Sequence, residues 1–408
     1  MPKIVPQVVI AGRTIPVSSF RTQRGSYGAI GTCAFTTDVE QLKTNSLNIL
    51  KANQAAVGGQ LGASLPIVIS ISTDGGNNFT KLWTGDMDDA DFDFQGDTVT
   101  IRGRDQAARL FDDRVVLKAD EYQNKRPYEI AIKLAGDYGL TPKVTVDRTQ
   151  PLAGDLYKID AVSLPLPRPK WDLLVFLARS VGWEVFAGLD NDLFFGPAVP
   201  GKPHKFTWKM NDPSAGIPVM NLHMEYQPRR NMTFQILVMS QHAATEEVYS
   251  ERIMVINQEI TIDTVRKVKA GVYKGSAAQR LRSAISSKLD GRPLYIFYPQ
   301  GKTLQQVQGL AERIYYDIAR KLFVASGEVD GLVTLNLQDS IQLVEANAGD
   351  LQGFAGQQLS LVSVAHRFQM APRGKNEAGF VTDWKAHFLP ASPSSGTEDP
   401  ILVTGGEG

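Results

Sequence analysis

Apolar and polar residues alternate over much of the first hundred positions, with the two-residue period of a half-buried strand. Val8, Ile10, Ile15 and Val17 surround a turn at Ala11-Gly12-Arg13, and residues 65–72 (LPIVISIS) form a short apolar run rich in β-branched side chains. Asp74-Gly75-Gly76-Asn77-Asn78 follows, where Gly and Asn tolerate the positive φ of a tight turn. A strand resumes over 79–84, and residues 97–104 set Val99 and Ile101 against Thr98, Thr100 and Arg102. Strands and turns at this spacing predict a barrel or sandwich. Residues 45–64, with Ala, Asn, Gln and three Gly, offer few core anchors and read as a long loop that a partner orders.

From Asp105 the period lengthens. Residues 106–111 read as a helical turn. Residues 127–138 make a fuller helix, with Pro127 at its first position, Ile130, Leu134 and Tyr138 on one face, and Gly139 free to take the left-handed end. A proline-rich stretch over 165–170 leads into a second helix over 171–181, carrying Trp171, Leu174, Ala178 and Val181. A hairpin across 183–186 and 193–195 completes a small α/β unit over 105–197. Beyond it, strands are expected over 232–239, 248–256, 259–262, 331–337, 340–344, 359–368 and 379–388. Helices are expected over 276–289 and 303–323, both opening on capping-box spacing (Ser276 and Gln279, Thr303 and Gln306). Residues 391–408, rich in Ser, Pro, Gly and Thr, read as a flexible tail. No repeat of constant solenoid period occurs.

Composition narrows the function classes. The 408 residues carry 43 Lys plus Arg and 43 Asp plus Glu, a formal net charge of +0. A protein that wraps nucleic acid by counterion release needs a cationic surplus, and so does a polybasic membrane anchor. No apolar run approaches the ~20 residues that span a bilayer. The proline-bearing first twenty residues read as an extended segment and not as a signal peptide. The single cysteine, Cys33, precludes an intrachain disulfide and a cysteine-rich zinc site, and fits assembly in a reducing cytoplasm.

Candidate chemistry is sparse. Residues 196–202 have phosphate-loop spacing, but Pro203 replaces the metal-binding hydroxyl and Pro197 and Pro200 lack the N–H groups of a phosphate cradle. A proline-stiffened linker fits better. Asp89, Asp91 and Asp93 alternate with Ala90, Phe92 and Phe94, beginning like a calcium loop, yet Phe94 stands where Gly is needed and Thr100 where a bidentate Glu is needed. A strand with one acidic face explains them. Its simplest role is a solvated outer face; its sharper role is an acidic wall lining a channel that passes DNA without adhering to it. The histidines (His204, His223, His242, His366 and His387) share no metal-ligand spacing, no Gly-x-Ser-x-Gly elbow occurs, and Cys33 has no adjacent base. No catalytic residue, metal or cofactor is assigned. A spatial pair of carboxylates stays open as a hydrolase alternative.

Three stretches together resemble the baseplate hub family of contractile phage tails (the late control protein type), which includes the hub part of type VI secretion spike proteins. The first is Leu82-Trp-Thr-Gly85-Asp86 with Val99-Thr-Ile-Arg-Gly103-Arg104-Asp105 and then Ala108, Arg109 and Leu110. The second is the helix at 127–140, residues 170–183 and Leu193-Phe-Phe-Gly196. The third is the helix from Thr303, residues 331–343 with Asp339, and Leu361-Val-Ser-Val-Ala-His366. The resemblance implies an α+β, β-rich chain: a first tube-like β-barrel over 1–104, the α/β insert over 105–197, a second barrel begun over 198–302 and closed after a long helix over 303–390, and the tail over 391–408.

It also implies a non-enzymatic homotrimer whose paired barrels form a ring of six, matching a sixfold tail tube on one face and a threefold spike on the other. The implied partners are a tail tube or tube-initiator protein, a central spike protein, and baseplate wedge or tape-measure proteins. DNA would pass without specific binding and no part would enter a membrane. The implied place is the virion tail, assembled in the host cytoplasm. Alternatives are the hub of a contractile injection or type VI secretion apparatus, and a tail-associated cell-wall hydrolase.

Overall fold

The computed structural model describes residues 4–44, 65–115, 122, 124–148, 150, 152–153, 168–181, 183–197, 201–209, 214–226, 233–241, 247–256, 259–269, 294–297, 304–321, 323–347, 349–351, 354–370, 379–388 and 401–404. The N-terminal strands are β1 (Val5–Ile10), β2 (Arg13–Ile15), β3 (Ser19–Gly25), β4 (Thr32–Asp38), β5 (Pro66–Ser72), β6 (Thr80–Asp93) and β7 (Thr98–Asp105). They pair in the order β2-β1-β5-β6-β7-β4-β3. Alternation sends Val8, Ile10, Phe35, Ile67, Trp83 and Ile101 into one core. Pro16 separates β2 from β3: it has no N–H to donate, and its carbonyl accepts the Thr37 hydroxyl at 2.6 Å.

The insert comprises β8 (Arg114–Val115), β9 (Thr141–Val146), β10 (Arg168–Pro169), β11 (Glu184–Ala187) and β12 (Asp192–Gly196), with helices Ala107–Asp112, Pro127–Asp137 and Lys170–Ser180. Leu134, Trp171, Leu174, Leu177, Leu193 and Phe195 fill its core. Gly139 takes φ +68, closing the first long helix as its position demands. The Trp171 indole donates to Gly28 O at 2.9 Å, and Gly28 N donates to Val185 O at 3.0 Å, so the insert is bonded to the loop after β3.

The C-terminal strands are β13 (Pro203–Trp208), β14 (Ile217–Tyr226), β15 (Thr233–Gln241), β16 (Glu247–Ile256), β17 (Glu259–Lys269), β18 (Leu294–Phe297), β19 (Phe323–Asp330), β20 (Ser340–Glu345), β21 (Gln358–Gln369), β22 (Gly379–Phe388) and β23 (Ile401–Thr404). Six of them close a barrel, in the order β21-β20-β13-β14-β19-β22 and back to β21. Phe206, Leu343, Leu361, Trp384 and Ala386 fill it, with Phe206 set edge-on to Trp384 at 5.1 Å. Strands β15 to β18 pair among themselves in a separate sheet, and the helix Leu304–Ala319 covers it through Val307, Ala311 and Ile314.

Three local expectations change. The long helix stops at Ala319, because Phe323 leaves it to open β19 and stacks on Phe354 at 4.7 Å. Residues 331–337 form a turn and not a strand: Gly331 has φ +44, and the Asp339 carboxylate accepts Asn336 N at 2.9 Å. Ile401–Thr404, within the expected tail, pairs antiparallel with Lys143–Val146; a short β-branched run suits an open sheet edge. The expected helix at 276–289 and loop at 45–64 lie outside the described residues.

The N-terminal strands and the barrel share a ladder. Strand β3 pairs antiparallel with β21, from Ser19 opposite Gln369 to Gly25 opposite Ser363, giving one thirteen-stranded sheet. Phe368 and Phe380, on barrel strands, enter the N-terminal core, and Phe20 stacks on Phe368 at 5.5 Å.

Candidate functional site

The shared ladder places the outward residues of eight strands, β6-β7-β4-β3-β21-β22-β19-β14, on one polar face. Cross-strand pairs organise its charges. Arg102 on β7 reaches Asp89 at 2.9 Å and Asp91 at 3.9 Å across to β6. Arg104 lies between Asp88 (2.7 Å) and Asp112 (2.9 Å), which raise its pKa. At the other end Arg367 grips Asp383 at 2.8 Å and Glu328 at 2.6 Å, and Glu328 also accepts Asn221 at 2.6 Å. A cleft of about 310 Å³ lies over the joint itself, among Arg21, Gln23, Arg367, Asp383 and Lys385.

The acidic strand singled out from the sequence is on this face, with each carboxylate differently engaged. Asp89 and Asp91 are drawn onto Arg102, whereas Asp93 accepts the backbone N–H groups of Gln95 and Gly96, each at 3.0 Å, and so forms the hairpin turn. Arg102 was legible as an outward position of its strand; Arg367, Asp383 and Glu328 become partners only through long-range pairing. Phe92 and Phe94, 37% and 78% exposed, stack on each other at 5.7 Å near the hairpin tip.

Under the face, the joint holds buried polar groups. Arg24, 6% exposed, donates to Asn336 Oδ1 at 3.3 Å, and burial lowers its pKa to about 10. Asp105 accepts Gly31 N and Ala107 N; desolvation nevertheless pushes its pKa up to about 7. His204 meets Asp339 at 3.0 Å, and Asp339 also accepts Lys202 N, which fixes the start of β13 onto the turn before β20. Glu184 is fully buried, with its pKa raised by desolvation; it accepts Gln338 at 3.1 Å and bonds Tyr27, over whose ring Arg320 lies at 4.1 Å. This connects the loop after β3, the insert, the barrel and the residue after the long helix. Such a network fixes the orientation of packed units; it does not bring a nucleophile and a base together in an open cleft. His366 is likewise buried, bonded to Thr382 at 3.1 Å, and desolvation lowers its pKa to about 3. Cys33 is buried and its thiol pKa is raised for the same reason. Among the described residues, no three His, Cys, Asp or Glu gather as a metal site.

This fold, a closed barrel sharing its sheet with further β strands beside an α/β unit, is similar to that of solved phage tail proteins over nearly the whole chain. The tail protein from Neisseria meningitidis MC58 superposes with a TM-score of 0.59 at 13% identity, over 94% of this chain and 96% of that one. The 43 kDa tail protein of prophage MuSo2 from Shewanella oneidensis gives 0.57 at 13% identity, over 96% and 99%. The E. coli c3393 protein, a type VI secretion component, gives 0.45 at 12% identity, over 94% and 77%. No family model and no curated protein matches the sequence.

Proposed function

We propose that the chain is a structural baseplate hub of a contractile phage tail: a trimeric adaptor that meets the sixfold tail tube on one face and the threefold central spike on the other, and encloses part of the DNA conduit. One observation carries this reading. Taken in chain order, the six strands of the closed barrel (β13, β14, β19, β20, β21, β22) neighbour one another as 1-2-3-6-5-4 and back to 1. The N-terminal strands follow the same order (β1, β2 with β3, β4, β7, β6, β5, back to β1) when β2 and β3 are read as one strand kinked at Pro16. The shared neighbour order supports a second tube-like barrel over residues 1–104 and a duplicated module, with the first strand reversed: β1 is antiparallel to both of its neighbours and β13 parallel to both. Three copies then supply six modules, which is how a threefold part can meet a sixfold one.

The fold shared with phage tail proteins supports placement in the virion tail. The polar face, with Asp89, Asp91 and Asp93 at one end, supports a lumen wall. Asp89 and Asp91 are paired with Arg102, while Asp93 is held by backbone N–H groups, so the wall does not hold phosphate strongly and repels it only weakly. Residues 105–197 are the insert and 198–390 carry the second module. The partners under this reading are tube or tube-initiator, spike, and wedge or tape-measure proteins. Native mass spectrometry with the cognate spike protein tests it: a complex containing three copies of this chain is expected, and only one or two copies at assembly concentration overturns it. Peptidoglycan incubated with the protein should release no soluble fragments; release abolished by a single Asp or Glu change would favour the hydrolase instead.

A further inference from the structure

The joint inside the chain uses strand segments that have counterparts left open. β21 pairs with β20 only over Gln358–Ser360; past the bulge at Val362 the same side of β21 pairs with β3. β6 occupies the same place in the N-terminal module. It pairs with β5 as far as Asp86, has its bulge at Asp88, and beyond that carries no strand on that side among the described residues. Likewise β13 pairs only with Ile217 and Pro218 of β14, and past the bulge at Met220 that side of β14 carries no strand among the described residues. β14 is the counterpart of the kinked strand that contains β3.

We infer that β14 of one copy pairs antiparallel with the β6 tip of the next, repeating between chains the β3–β21 joint within each. The inference rests on the duplicated-module reading above. It fixes a register. Ser363 and Asp89 are the first paired residues past their bulges. Stepping across the ladders, Ser363-Lys385-Ser326-His223 matches Asp89-Arg102-Ala34-Arg21. His223 is therefore the counterpart of Arg21, and Asp93 that of Arg367. Within the chain Arg21 faces Arg367, Thr22 faces His366 and Phe20 faces Phe368. Between chains His223 faces Asp93, Met224 faces Phe92, and Leu222 faces Phe94. This explains why Phe92, opposite buried Val99 on the strand face that continues the N-terminal core, stays 37% exposed, with Phe94 of the following turn stacked on it. It also pairs the acidic end of β6 with a histidine. The occupant is a second copy of this chain, because only its own repeated module offers both the open edge and the matching register.

Cysteine cross-linking of the full-length protein tests the register, with Cys33 left in its core. Met224→Cys with Phe92→Cys, and separately His223→Cys with Asp93→Cys, should each give on mild oxidation a covalent ladder ending at three chains. Each single substitution should lose it. Phe94→Glu, at a largely exposed position, should leave the folded monomer intact and abolish the trimer. Mass measurement of the unoxidised protein with its spike separates the two claims. A trimer that neither cysteine pair cross-links overturns this interface and leaves the hub reading standing. No trimer and no cross-link overturns both. A ladder continuing past three chains upholds the strand pairing and overturns ring closure.

Discussion

Replacing Phe368 with alanine should loosen the N-terminal module, although Phe368 belongs to a strand of the C-terminal barrel. Its ring is 3% exposed, stacks on Phe20 at 5.5 Å and sits in the cluster built by Val8, Ile67 and Trp83. The lost transfer free energy is about 2–3 kcal/mol. The surrounding β-sheet cannot collapse into the gap, because around Phe368 the β3–β21 and β21–β22 ladders run unbroken over Ser363–Gln369, so the unfilled cavity raises the cost to about 3–5 kcal/mol. Urea unfolding followed by fluorine NMR of protein labelled with fluorotryptophan gives the measurement, with the resonances of the five tryptophans assigned by single Trp→Phe changes; Trp83 reports the N-terminal core and Trp384 the barrel. The expected result is a midpoint shift of that size, with Trp83 exposed at lower urea than Trp384. A cycle with Phe20→Ala should show about 0.5–1.5 kcal/mol of coupling for the aromatic pair. A loss below about 1 kcal/mol, or an effect confined to Trp384, would show that the two cores are independent and refute the shared-joint argument.

Gly103→Ala should be strongly destabilising, because an added Cβ would lie 2.4 Å from Asp86 O on the paired strand; soluble yield and melting temperature would both fall, and wild-type melting would refute the contact. Arg367→Ala should cost under about 1 kcal/mol, and less at 1 M salt, because its bridges to Asp383 and Glu328 are well exposed. His366 has a folded pKa of about 3, below its unfolded value near 6.5. The unfolded chain therefore binds the extra proton first, and this group's contribution to stability is lost as pH falls from about 6.5 toward 3. Proton NMR should show the His366 ring unprotonated at pH 5, and a midpoint near 6.5 would refute its burial. Asp105 acts in the opposite sense: its folded pKa of about 7 lies above its unfolded value near 3.8, so its contribution is lost as pH rises from about 4 to 7. Stability curves of Asp105→Asn against the parent should diverge in that window, and parallel curves would count against the assignment.

Individual elements were legible where the local pattern was self-sufficient. The helix at Pro127 carries its start signal, its stripe and its glycine stop in the sequence, and it forms as Pro127–Asp137. The strand Thr98–Asp105 follows its alternation position by position. The turn at 331–337 was not legible, since Leu332, Val333 and Leu335 look like a strand; its conformation comes from Asp339, whose carboxylate satisfies Asn336 N, Lys202 N and His204 at once. The three aspartates were readable as an outward row. Their arginine partner was readable only as another outward residue, because the β6–β7 register and its bulge decide who meets whom. The buried groups at the joint left no local signal: Arg24, Glu184 and Arg320 lie more than a hundred residues apart and look like surface charges on any single strand or helix.

The two joints differ in composition in a way their connectivity explains. Inside the chain, β3 and β21 are tethered, so the effective concentration of one for the other is high and little apolar contact is needed to hold them. That joint can tolerate Thr22 opposite His366, a polar pair in its middle, and Arg21 opposite Arg367, whose own charge Asp383 and Glu328 offset. A joint between chains must also offset the lost translational and rotational freedom of association. In the proposed register its middle is Met224 against Phe92, flanked by Leu222 against Phe94, and a histidine facing an aspartate, His223 and Asp93, replaces two like charges. Thr22–His366 is thus matched by an apolar pair and Arg21–Arg367 by a pair without like charges, while Phe20–Phe368 is matched by another apolar pair, Leu222–Phe94. If the β14 and β6 tips were ordinary solvent edges, lysines and prolines would be expected there to block pairing. Neither occurs among Asp88–Phe94 or Asn221–Tyr226.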